Sequence, residues 1–429
     1  MDYQQSLAYL YGLQRFGIKL GLDNIRRLLD RLGNPERSFA IVHVGGTNGK
    51  GSACACLAEI LRLAGYRCGL YTSPHLHSFT ERIRVDGVAI AELELVELTE
   101  VVRSCCEGIP VTFFEFTTAL ALLYFQRREI DCAVLEVGMG GRLDATNAVQ
   151  PLVSVISTIC LDHQQYLGTT LSAIAAEKAG IIKPNTPLVI GRQPQPALEV
   201  LLQTADQLRA PVWVAGRDFA ADADRHGFSF RGPGLVLQGL QPNLVGRHQY
   251  DNCALALAAA LQLRHQGWIL PDNVLRDGVA RVSWPGRLEW SASVAGVLLD
   301  GAHNEGGAQV LARYLEELPP RRIHWVVGMK GDRDPASLMQ PLLPLVSNLY
   351  CTVPPVEDGV SAASLAVAAT AAGRPAQVFA TPADALHAAL ETRQEDELVL
   401  VAGSLFLVAA AREILAELNQ KSPPTPLCA

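Results

Sequence analysis

Short continuous runs of apolar residues recur in the N-terminal half of the chain, at 40–44, 67–71, 130–137 and 152–158. Runs of this kind are typical of parallel strands that are buried on both faces. Apolar residues at helical spacing occupy 54–61 and 170–179, after the first and the last of these runs. Because strands that alternate with helices form parallel sheets, we predict an α/β domain with a mostly parallel sheet.

The C-terminal part of the chain repeats this pattern on a smaller scale. Its apolar runs lie at 297–300, 323–329 and 398–403. They alternate with helical segments, which predicts a second, smaller α/β domain of Rossmann-like type. A helical pattern over 271–282 ends in Ser-Trp-Pro-Gly-Arg at 283–287, where the Pro-Gly pair indicates a turn. We therefore place the domain boundary there and divide the chain into 1–284 and 285–429.

The composition agrees with two globular domains, because 429 residues exceed what one hydrophobic core usually serves and 49% of them are apolar. The formal net charge of −7 argues against a surface for nucleic acid, so we expect no such partner. The chain shows neither a long apolar run nor a signal-peptide pattern. We therefore expect a cytoplasmic protein without a membrane partner.

The ten cysteines are better explained as reduced, buried thiols than as disulfides or zinc ligands. No Cys-x-x-Cys pair occurs, and zinc sites commonly contain one. The cysteines that fall within apolar patterns are Cys54, Cys56, Cys132, Cys160 and Cys253.

The stretch from Val42 to Ser52 carries the strongest chemical signal. A short strand runs into a glycine-dense turn and then a helix, an arrangement that binds phosphate through backbone N–H groups and the helix N-terminus. Lys50 adds a full positive charge. The strict Walker pattern is not met, because Val44 stands at its first glycine and Gly51 separates Lys50 from Ser52. The alternative is an ordinary glycine-rich turn between a strand and a helix.

Several motifs together resemble the folylpolyglutamate synthase/dihydrofolate synthase family of the Mur ligase superfamily. They are Gly-Thr-Asn-Gly-Lys-Gly-Ser at 46–52, Tyr-Thr-Ser-Pro-His-Leu at 71–76 and Thr-Glu-Arg-Ile-Arg-Val-Asp-Gly at 80–87, with further matches as far as 403–407. The resemblance implies a central ATPase domain that contains the phosphate loop (P-loop). It also implies ATP and two Mg²⁺ ions as cofactors, with K⁺ a further candidate, and a monomeric enzyme.

Nucleotide binding is implied by the resemblance for Gly46, Thr47, Asn48, Gly49, Lys50, Gly51, Ser52, Asn252, Arg287, Asp300 and His303. The catalytic residues that it implies are Lys50, Lys178 and His163, with Lys178 modified to a carbamate. A carbamate requires a neutral amine, which burial of the lysine would favour.

The implied magnesium ligands are Ser73, Glu136 and His163. Ser73 ends a strand before Pro74, where a serine is more often a turn cap. Glu136 lies near the end of an apolar strand, at the edge where open α/β sheets bind ligands. A buried ion pair of Glu136 with Arg142 is the structural alternative.

For the pteridine substrate, the resemblance implies Leu20, Gly21, Leu22, Thr112, Phe114, Glu115, Leu143, Asp144 and Ala145. Phe114 offers an aromatic face to a flat heterocycle, and Asp144 offers a carboxylate to ring N–H and amino groups. Without the resemblance, the pair Phe113-Phe114 would be explained as core. Arg82 and Arg84 are predicted to share one face of an extended segment, either to bind an anion or to face solvent.

Together these features predict an ATP-dependent amide ligase that works through an acyl phosphate. By resemblance it adds L-glutamate to dihydropteroate, forming dihydrofolate, and to reduced folates such as tetrahydrofolate. The alternatives are a monofunctional folylpolyglutamate synthase and a regulatory protein that binds ATP without catalysis. A cell-wall Mur ligase is disfavoured, because only about 40 residues precede the loop and a further N-terminal domain would need more.

Overall fold

The computed structural model describes residues 1–16, 21–225, 227–331 and 334–421. The chain forms two compact units. Unit 1 comprises Met1–Asn243 and Arg247–Trp284, and unit 2 comprises Leu244–Gly246 and the chain from Pro285 onward. Within the described ranges, no helix has the length and apolar character that a membrane span requires.

Unit 1 is built around an eight-stranded sheet in the order β4-β3-β2-β5-β1-β6-β7-β8. Its strands are β1 Ala40–Gly45, β2 Cys68–Tyr71, β3 Ile83–Val85, β4 Val88–Ala89, β5 Cys132–Glu136, β6 Val153–Ile156, β7 Leu188–Ile190 and β8 Val212–Val214. The six strands from β2 to β8 in this order are parallel, while β3 and β4 are antiparallel additions at one edge. The predicted α/β fold with a mostly parallel sheet is confirmed.

A second, three-stranded antiparallel sheet of unit 1 has the order β11-β10-β9. Its strands are β9 Ala220–Asp224, β10 Gly227–Gly232 and β11 Leu235–Leu240. Phe228 and Phe230 alternate inward along β10, as expected for a sheet with one covered face.

Helices cover the sheet of unit 1 on both faces. They are α1 Tyr3–Gly12, α2 Asp23–Arg31, α3 Lys50–Leu63, α4 Glu92–Cys105, α5 Phe113–Arg127, α6 Gln164–Leu167, α7 Leu171–Ala179, α8 Gln195–Gln207, α9 His248–His265 and α10 Asp272–Arg281. Shorter 3₁₀ turns occupy Leu13–Phe16, Pro35–Arg37, Phe79–Arg82 and Ala145–Ala148. The face beneath α5 is a continuous apolar core that includes Ile41, Phe116 and Leu135. On the other face, α3 packs against β5, α9 and α10.

Unit 2 has a six-stranded sheet in the order β12-β13-β17-β14-β15-β16. Its strands are β12 Glu289–Trp290, β13 Val297–Asp300, β14 Ile323–Val327, β15 Asn348–Cys351, β16 Ala376–Val378 and β17 Leu398–Ala402. Only β12 runs antiparallel to its neighbour among these strands. The helices are α11 Glu305–Glu317, α12 Pro335–Met339, α13 Ala362–Ala371, α14 Pro382–Thr392 and α15 Leu405–Lys421, with a 3₁₀ turn at Leu343–Leu345. The predicted second α/β sheet is therefore present.

A glycine inside α10 sets how closely this helix approaches α3. A Cβ atom at Gly278 would overlap Cγ1 of Ile60 and lie 3.0 Å from its Cα. The two helices can therefore pack this tightly only because Gly278 lacks a side chain.

We expect Gly278→Ala to destabilise the protein by about 1–3 kcal/mol through overpacking, which outweighs the gain of about 1 kcal/mol in helix propensity. Gly12→Ala is the matched control, because Gly12 is also helical but has no atom within 4 Å of its would-be Cβ. Denaturant unfolding of both variants measures the difference. Equal stability of the two variants would show that α3 and α10 can move apart freely.

Candidate active site

The phosphate loop lies between β1, which ends at Gly45, and α3, which begins at Lys50. Gly46 has φ 127° and Gly49 has φ 87°, values that favour glycine over residues with a side chain. A Cβ at Gly46 would also overlap the hydroxyl of Ser157 and lie 2.9 Å from its backbone nitrogen. The loop therefore depends on glycine for both its conformation and its close contact with the end of β6.

The sequence predicts that the backbone N–H groups of the loop bind phosphate, but two of these groups are already used within the protein. The N–H groups of Thr47 and Asn48 both donate to the carbonyl of Thr158, at 2.9 and 3.2 Å. The first turn of α3 supplies the other donors, because the initial N–H groups of a helix have no partner within the helix. Gly49 is its N-cap and makes no side-chain cap. A phosphate would therefore bind at Lys50, Gly51 and Ser52.

Lys50 and Glu136 meet beside this helix terminus. The Lys50 ammonium lies 3.1 Å from the carbonyl of Thr47 and 4.0 Å from Oε1 of Glu136. The other carboxylate oxygen of Glu136 accepts a hydrogen bond from the N–H of Ser73 at 3.2 Å. Glu136 is only 5% exposed, and the parallel register that pairs Val44 with Glu136 brings it to the loop.

The neighbouring Glu136 and Ser73 suit a magnesium ion, which takes hard oxygen ligands and commonly only one or two from the protein. The described part of the chain contains no cluster of three or more His, Cys, Asp or Glu side chains suited to hold a metal. The proposed alternative for Glu136 is wrong, because Arg142 pairs instead with Glu177 at 2.7 Å.

Lys178 lies near the end of α7 and is 4% exposed. Its Nζ donates to the carbonyl of Gly46 at 2.7 Å, which ties α7 to the phosphate loop. Burial, together with a smaller effect of the nearby Lys50 charge, lowers the pKa of Lys178 to about 7, although Asp162 and Asp144 act in the opposite direction. Near neutral pH this lysine therefore has a large fraction of uncharged amine.

The segment after β6 is tied to the phosphate loop through Thr47. The hydroxyl of Thr47 donates to the carbonyl of Cys160 at 3.2 Å and accepts from its N–H at 3.1 Å. His163 follows with a left-handed backbone, φ 49°, and its Nε2 lies 4.0 Å from Oδ2 of Asp162. The prediction that Cys160 is a buried thiol is wrong, because the residue is partly exposed beside the loop.

Asn252 lies on α9 against the start of α3. A Cβ at Gly49 would overlap the amide oxygen of Asn252, so the two residues are in direct proximity. The Asn252 amide donates to Oε1 of Gln249 at 2.8 Å, which holds its orientation. The structure thus places this predicted nucleotide residue beside the loop.

The predicted substrate residues of α5 divide into two groups. Thr112 and Glu115 form a reciprocal capping box: the Thr112 hydroxyl accepts the N–H of Glu115 at 3.3 Å, and Glu115 Oε2 accepts the N–H of Thr112 at 2.7 Å. Both side chains therefore have a local structural role. Phe114 is half-buried, and its ring fills the space that a Cβ at Gly138 would need.

Asp144 is buried and caps the 3₁₀ turn Ala145–Ala148. Its carboxylate accepts N–H groups from Met139 at 2.9 Å and Thr146 at 3.0 Å, and also the hydroxyl of Thr146. Burial raises the pKa of Asp144, and these hydrogen bonds act against the increase. Leu143 beside it is half-buried, whereas Ala145 belongs to the apolar core.

Three predicted substrate residues precede α2, and the structure describes two of them, Gly21 and Leu22. Leu20 lies outside the described residues. Gly21 has φ 151°, and Leu22 is half-buried against the core that α5 covers.

The prediction that Arg82 and Arg84 share a strand face is wrong, because Arg82 ends a 3₁₀ turn and only Arg84 belongs to β3. Arg82 is 8% exposed, so it is not a solvated residue. Its Nε donates to Nδ1 of His75 at 2.8 Å, and its guanidinium lies 5.6 and 5.4 Å from the ring centroids of Phe79 and Phe113.

In unit 2, the predicted nucleotide residues cluster around the end of β13. The Asp300 carboxylate accepts the N–H groups of Leu288 and Ala302, both at 2.8 Å. His303 Nδ1 lies 2.8 Å from the carbonyl of Gly301, and the Arg287 guanidinium lies against the same glycine. Polar contacts therefore hold Asp300 and His303 at the end of β13, and Arg287 lies beside them.

Sequence reasoning missed His43, which reaches the predicted substrate residue Asp144 in unit 1 through Thr146. His43 is fully buried on β1, and its Nε2 lies 2.8 Å from the Thr146 hydroxyl. A histidine inside an otherwise apolar strand was the only signal, and that signal does not identify a partner.

Known proteins resemble this chain in both sequence and structure. Residues 44–260 match the Mur ligase middle domain, and 286–405 match the Mur ligase glutamate ligase domain. The folylpolyglutamate synthase of Lacticaseibacillus casei is 35% identical over 428 residues, which cover 97% of this chain and 99% of that protein.

Solved structures of related proteins also cover almost the whole chain. Escherichia coli FolC in complex with DHPP and ADP superposes with a TM-score of 0.90 at 34% identity, covering 98% of this chain and 99% of that one. The bifunctional folylpolyglutamate synthase/dihydrofolate synthase of Yersinia pestis, complexed with AMPPNP and a Mn ion, has a TM-score of 0.88 at 32% identity, covering 97% and 98%.

Gly46→Ala is expected to prevent binding of a fluorescent ATP analogue, because it combines an unfavourable φ with overlap against Ser157. Gly65→Ala is the matched control, since Gly65 has φ 89° but no atom within 4 Å of its would-be Cβ. The positive φ alone costs about 1–2 kcal/mol. Retained analogue binding by Gly46→Ala would contradict this account of the loop.

Proposed function

This chain belongs to the dihydrofolate synthase/folylpolyglutamate synthase family of Mur ligases, and we propose that it is the bifunctional ligase of that family. It is an ATP-dependent acid–amino-acid ligase. Its two reactions add L-glutamate to dihydropteroate, giving dihydrofolate, and to reduced folates, giving their polyglutamates. The observation that carries the proposal is the convergence of Lys50, Glu136 and Lys178 at the phosphate loop.

In the first step, the acceptor carboxylate attacks the γ-phosphorus of ATP, forming an acyl phosphate and releasing ADP. In the second step, the amine of glutamate attacks the acyl carbon, the carbon–oxygen bond to phosphate breaks, and phosphate and a proton leave. Lys50 and the first N–H groups of α3 stabilise negative charge on the transferring phosphoryl group.

Two Mg²⁺ ions are proposed to be held by Ser73 and Glu136 at one position and by His163 at the other. When bound, such ions neutralise phosphate charge and orient the reacting oxygens. Glu136 is buried, and the backbone N–H of Ser73 fixes one of its oxygens, so its carboxylate is preorganised. We propose a potassium ion as a further cofactor. The prediction that Arg287, Asp300 and His303 bind the nucleotide stays a prediction.

Lys178 is proposed to be a carbamate in the active enzyme. The ammonium first loses a proton. The neutral amine then attacks the carbon of CO₂, a nitrogen–carbon bond forms as one carbon–oxygen π bond opens, and a second proton is released, so the cation becomes an anion. Burial supports this proposal because it lowers the pKa of the amine to about 7. The change of charge would also remove the repulsion between Lys178 and Lys50.

The pteridine is proposed to bind between Phe114 and Asp144, with Gly21, Leu22, Leu143 and Ala145 around it. Thr112 and Glu115 contribute by capping α5 and so fixing the position of Phe114 at its start. Because the chain contains both predicted pteridine-binding segments, 112–115 and 143–145, we favour dihydropteroate as a substrate in addition to reduced folates.

We further propose that the enzyme acts as a cytoplasmic monomer without nucleic-acid or membrane partners.

Two alternative functions are a ligase with a single activity and a regulatory protein that binds ATP. The relative from Lacticaseibacillus casei is named only as a folylpolyglutamate synthase, which favours a single activity. A regulatory ATP-binding protein would also need the phosphate loop, but it would not need the buried amine of Lys178 beside it.

We expect ADP release with ATP, Mg²⁺ and L-glutamate when either dihydropteroate or tetrahydrofolate is the acceptor. The Lys50→Met variant is the control for contaminating ATPases and should lose both activities by about 100-fold or more, because a charge aligned with the transferring phosphoryl group is removed. Turnover of only one acceptor would assign a single activity. No glutamate-dependent turnover with either acceptor would favour the regulatory alternative.

With ¹³C-bicarbonate, the wild-type protein should show a carbamate signal in ¹³C NMR that Lys178→Gln lacks. The folded pKa of Lys178 lies below its ordinary value, so the amine loses its proton as pH rises through about 7, and the signal should grow in that direction. Lys178→Gln should lower kcat by about 100-fold.

The control for the carbamate experiment is Lys330→Gln, which changes a partly exposed lysine paired with Asp358. It should keep the carbamate signal. A signal that persists in Lys178→Gln, or one that weakens with rising pH, would contradict the proposed modification.

A further inference from the structure

His43 is a polar side chain in an apolar environment. It is fully buried on the face of β1 that also carries Ile41 and packs beneath the turn Ala145–Ala148. Its Nε2 lies 2.8 Å from the hydroxyl oxygen of Thr146. Its Nδ1 is buried and has no hydrogen-bond partner among the described residues.

The hydrogen bonds determine which nitrogen of His43 carries the proton. The Thr146 hydroxyl has one proton, and it donates that proton to Oδ1 of Asp144. It must therefore accept the hydrogen bond from His43, so the proton of the neutral imidazole is on Nε2. Burial keeps the ring neutral by lowering the pKa of His43 to about 3, with a smaller contribution from the Lys183 charge.

These bonds form one chain from the central strand to the proposed substrate residue. His43 donates to Thr146, and Thr146 donates to Asp144, whose other oxygen accepts the N–H of Met139 at 2.9 Å. A buried nitrogen without a partner lowers stability, so packing alone does not explain a histidine at this position.

We propose that His43 is a positioning residue for the substrate site: its Nε2–H holds the Thr146 hydroxyl in the orientation that fixes the carboxylate of Asp144. This inference rests on the proposed role of Asp144 in binding the pteridine. An apolar residue at 43 would fill the space, but the Thr146 hydroxyl could then rotate away, and the Asp144 carboxylate would be held only by the backbone N–H groups of Met139 and Thr146.

The test compares His43→Leu with His43→Gln, whose side-chain amide can replace the Nε2–H donor. We expect His43→Leu to raise KM for dihydropteroate about tenfold, with KM for ATP unchanged, and His43→Gln to restore much of the loss. The unfolding midpoint should stay within about 2 °C, because the buried unpaired nitrogen is also removed.

Ser154→Ala is the matched control. Ser154 is the buried neighbour of His43 on β6, but its hydroxyl donates to the carbonyl of Ile181 at 2.9 Å and not to the Asp144 chain. It should leave KM for dihydropteroate unchanged. The double variant His43→Leu/Thr146→Val should be no worse than Thr146→Val alone, because His43 acts through Thr146.

Normal wild-type turnover with unchanged KM in His43→Leu would overturn only the inference about His43. Equal increases in KM for dihydropteroate and ATP, or a loss of stability that accounts for the change, would also overturn it. Wild-type protein that uses neither acceptor would instead overturn the proposed function. Independently of activity, ¹⁵N NMR of labelled histidine should show His43 protonated on Nε2, and a proton on Nδ1 would refute the inference.

Discussion

The parallel pairing of β1 with β5 and β6 is the constraint on which the site in unit 1 depends. Val44 pairs with Glu136, and Gly45 pairs with Ile156, so the ends of three strands meet at one edge of the sheet. The phosphate loop follows β1 at that edge, and the segment leading to His163 follows β6 there. Glu136 is the last residue of β5, so its carboxylate lies at the same edge. Their proximity therefore follows from strand register and not from contacts between the side chains themselves.

Close backbone approach then decides what the loop can bind. Gly46 packs against Ser157, Gly49 against Asn252, and the carbonyl of Thr158 takes two N–H groups of the loop. These contacts hold the turn in place without using the first N–H groups of α3. A rigid loop with donors left at the helix terminus suits phosphate, because the donors need not reorganise when charge develops.

Around this edge, the structure buries polar groups that would be unfavourable in an ordinary core. Lys178 is held by one carbonyl of the loop, and Asp144 is held by backbone N–H groups and Thr146. Burial lowers the pKa of Lys178 and raises the pKa of Asp144, because desolvation disfavours the charged form of each side chain. Neighbouring groups with shifted pKa values, such as Lys178 and the Asp144 carboxylate that interacts with it electrostatically, are typical of catalytic sites.

The sequence by itself determined the α/β fold and the location of the phosphate loop, because strand burial and glycine-rich turns leave local patterns. It also identified Glu136 as an unusual carboxylate, since the residue interrupts a continuous apolar strand. Only the tertiary structure decided the partners: Arg142 pairs with Glu177, Arg82 is buried against His75, and His43 reaches Asp144 through Thr146. Lys178 and Gly46 are 132 positions apart, and His43 and Thr146 are 103 apart. Contacts over such separations depend on how the sheet and helices pack, so no local pattern of residues encodes them.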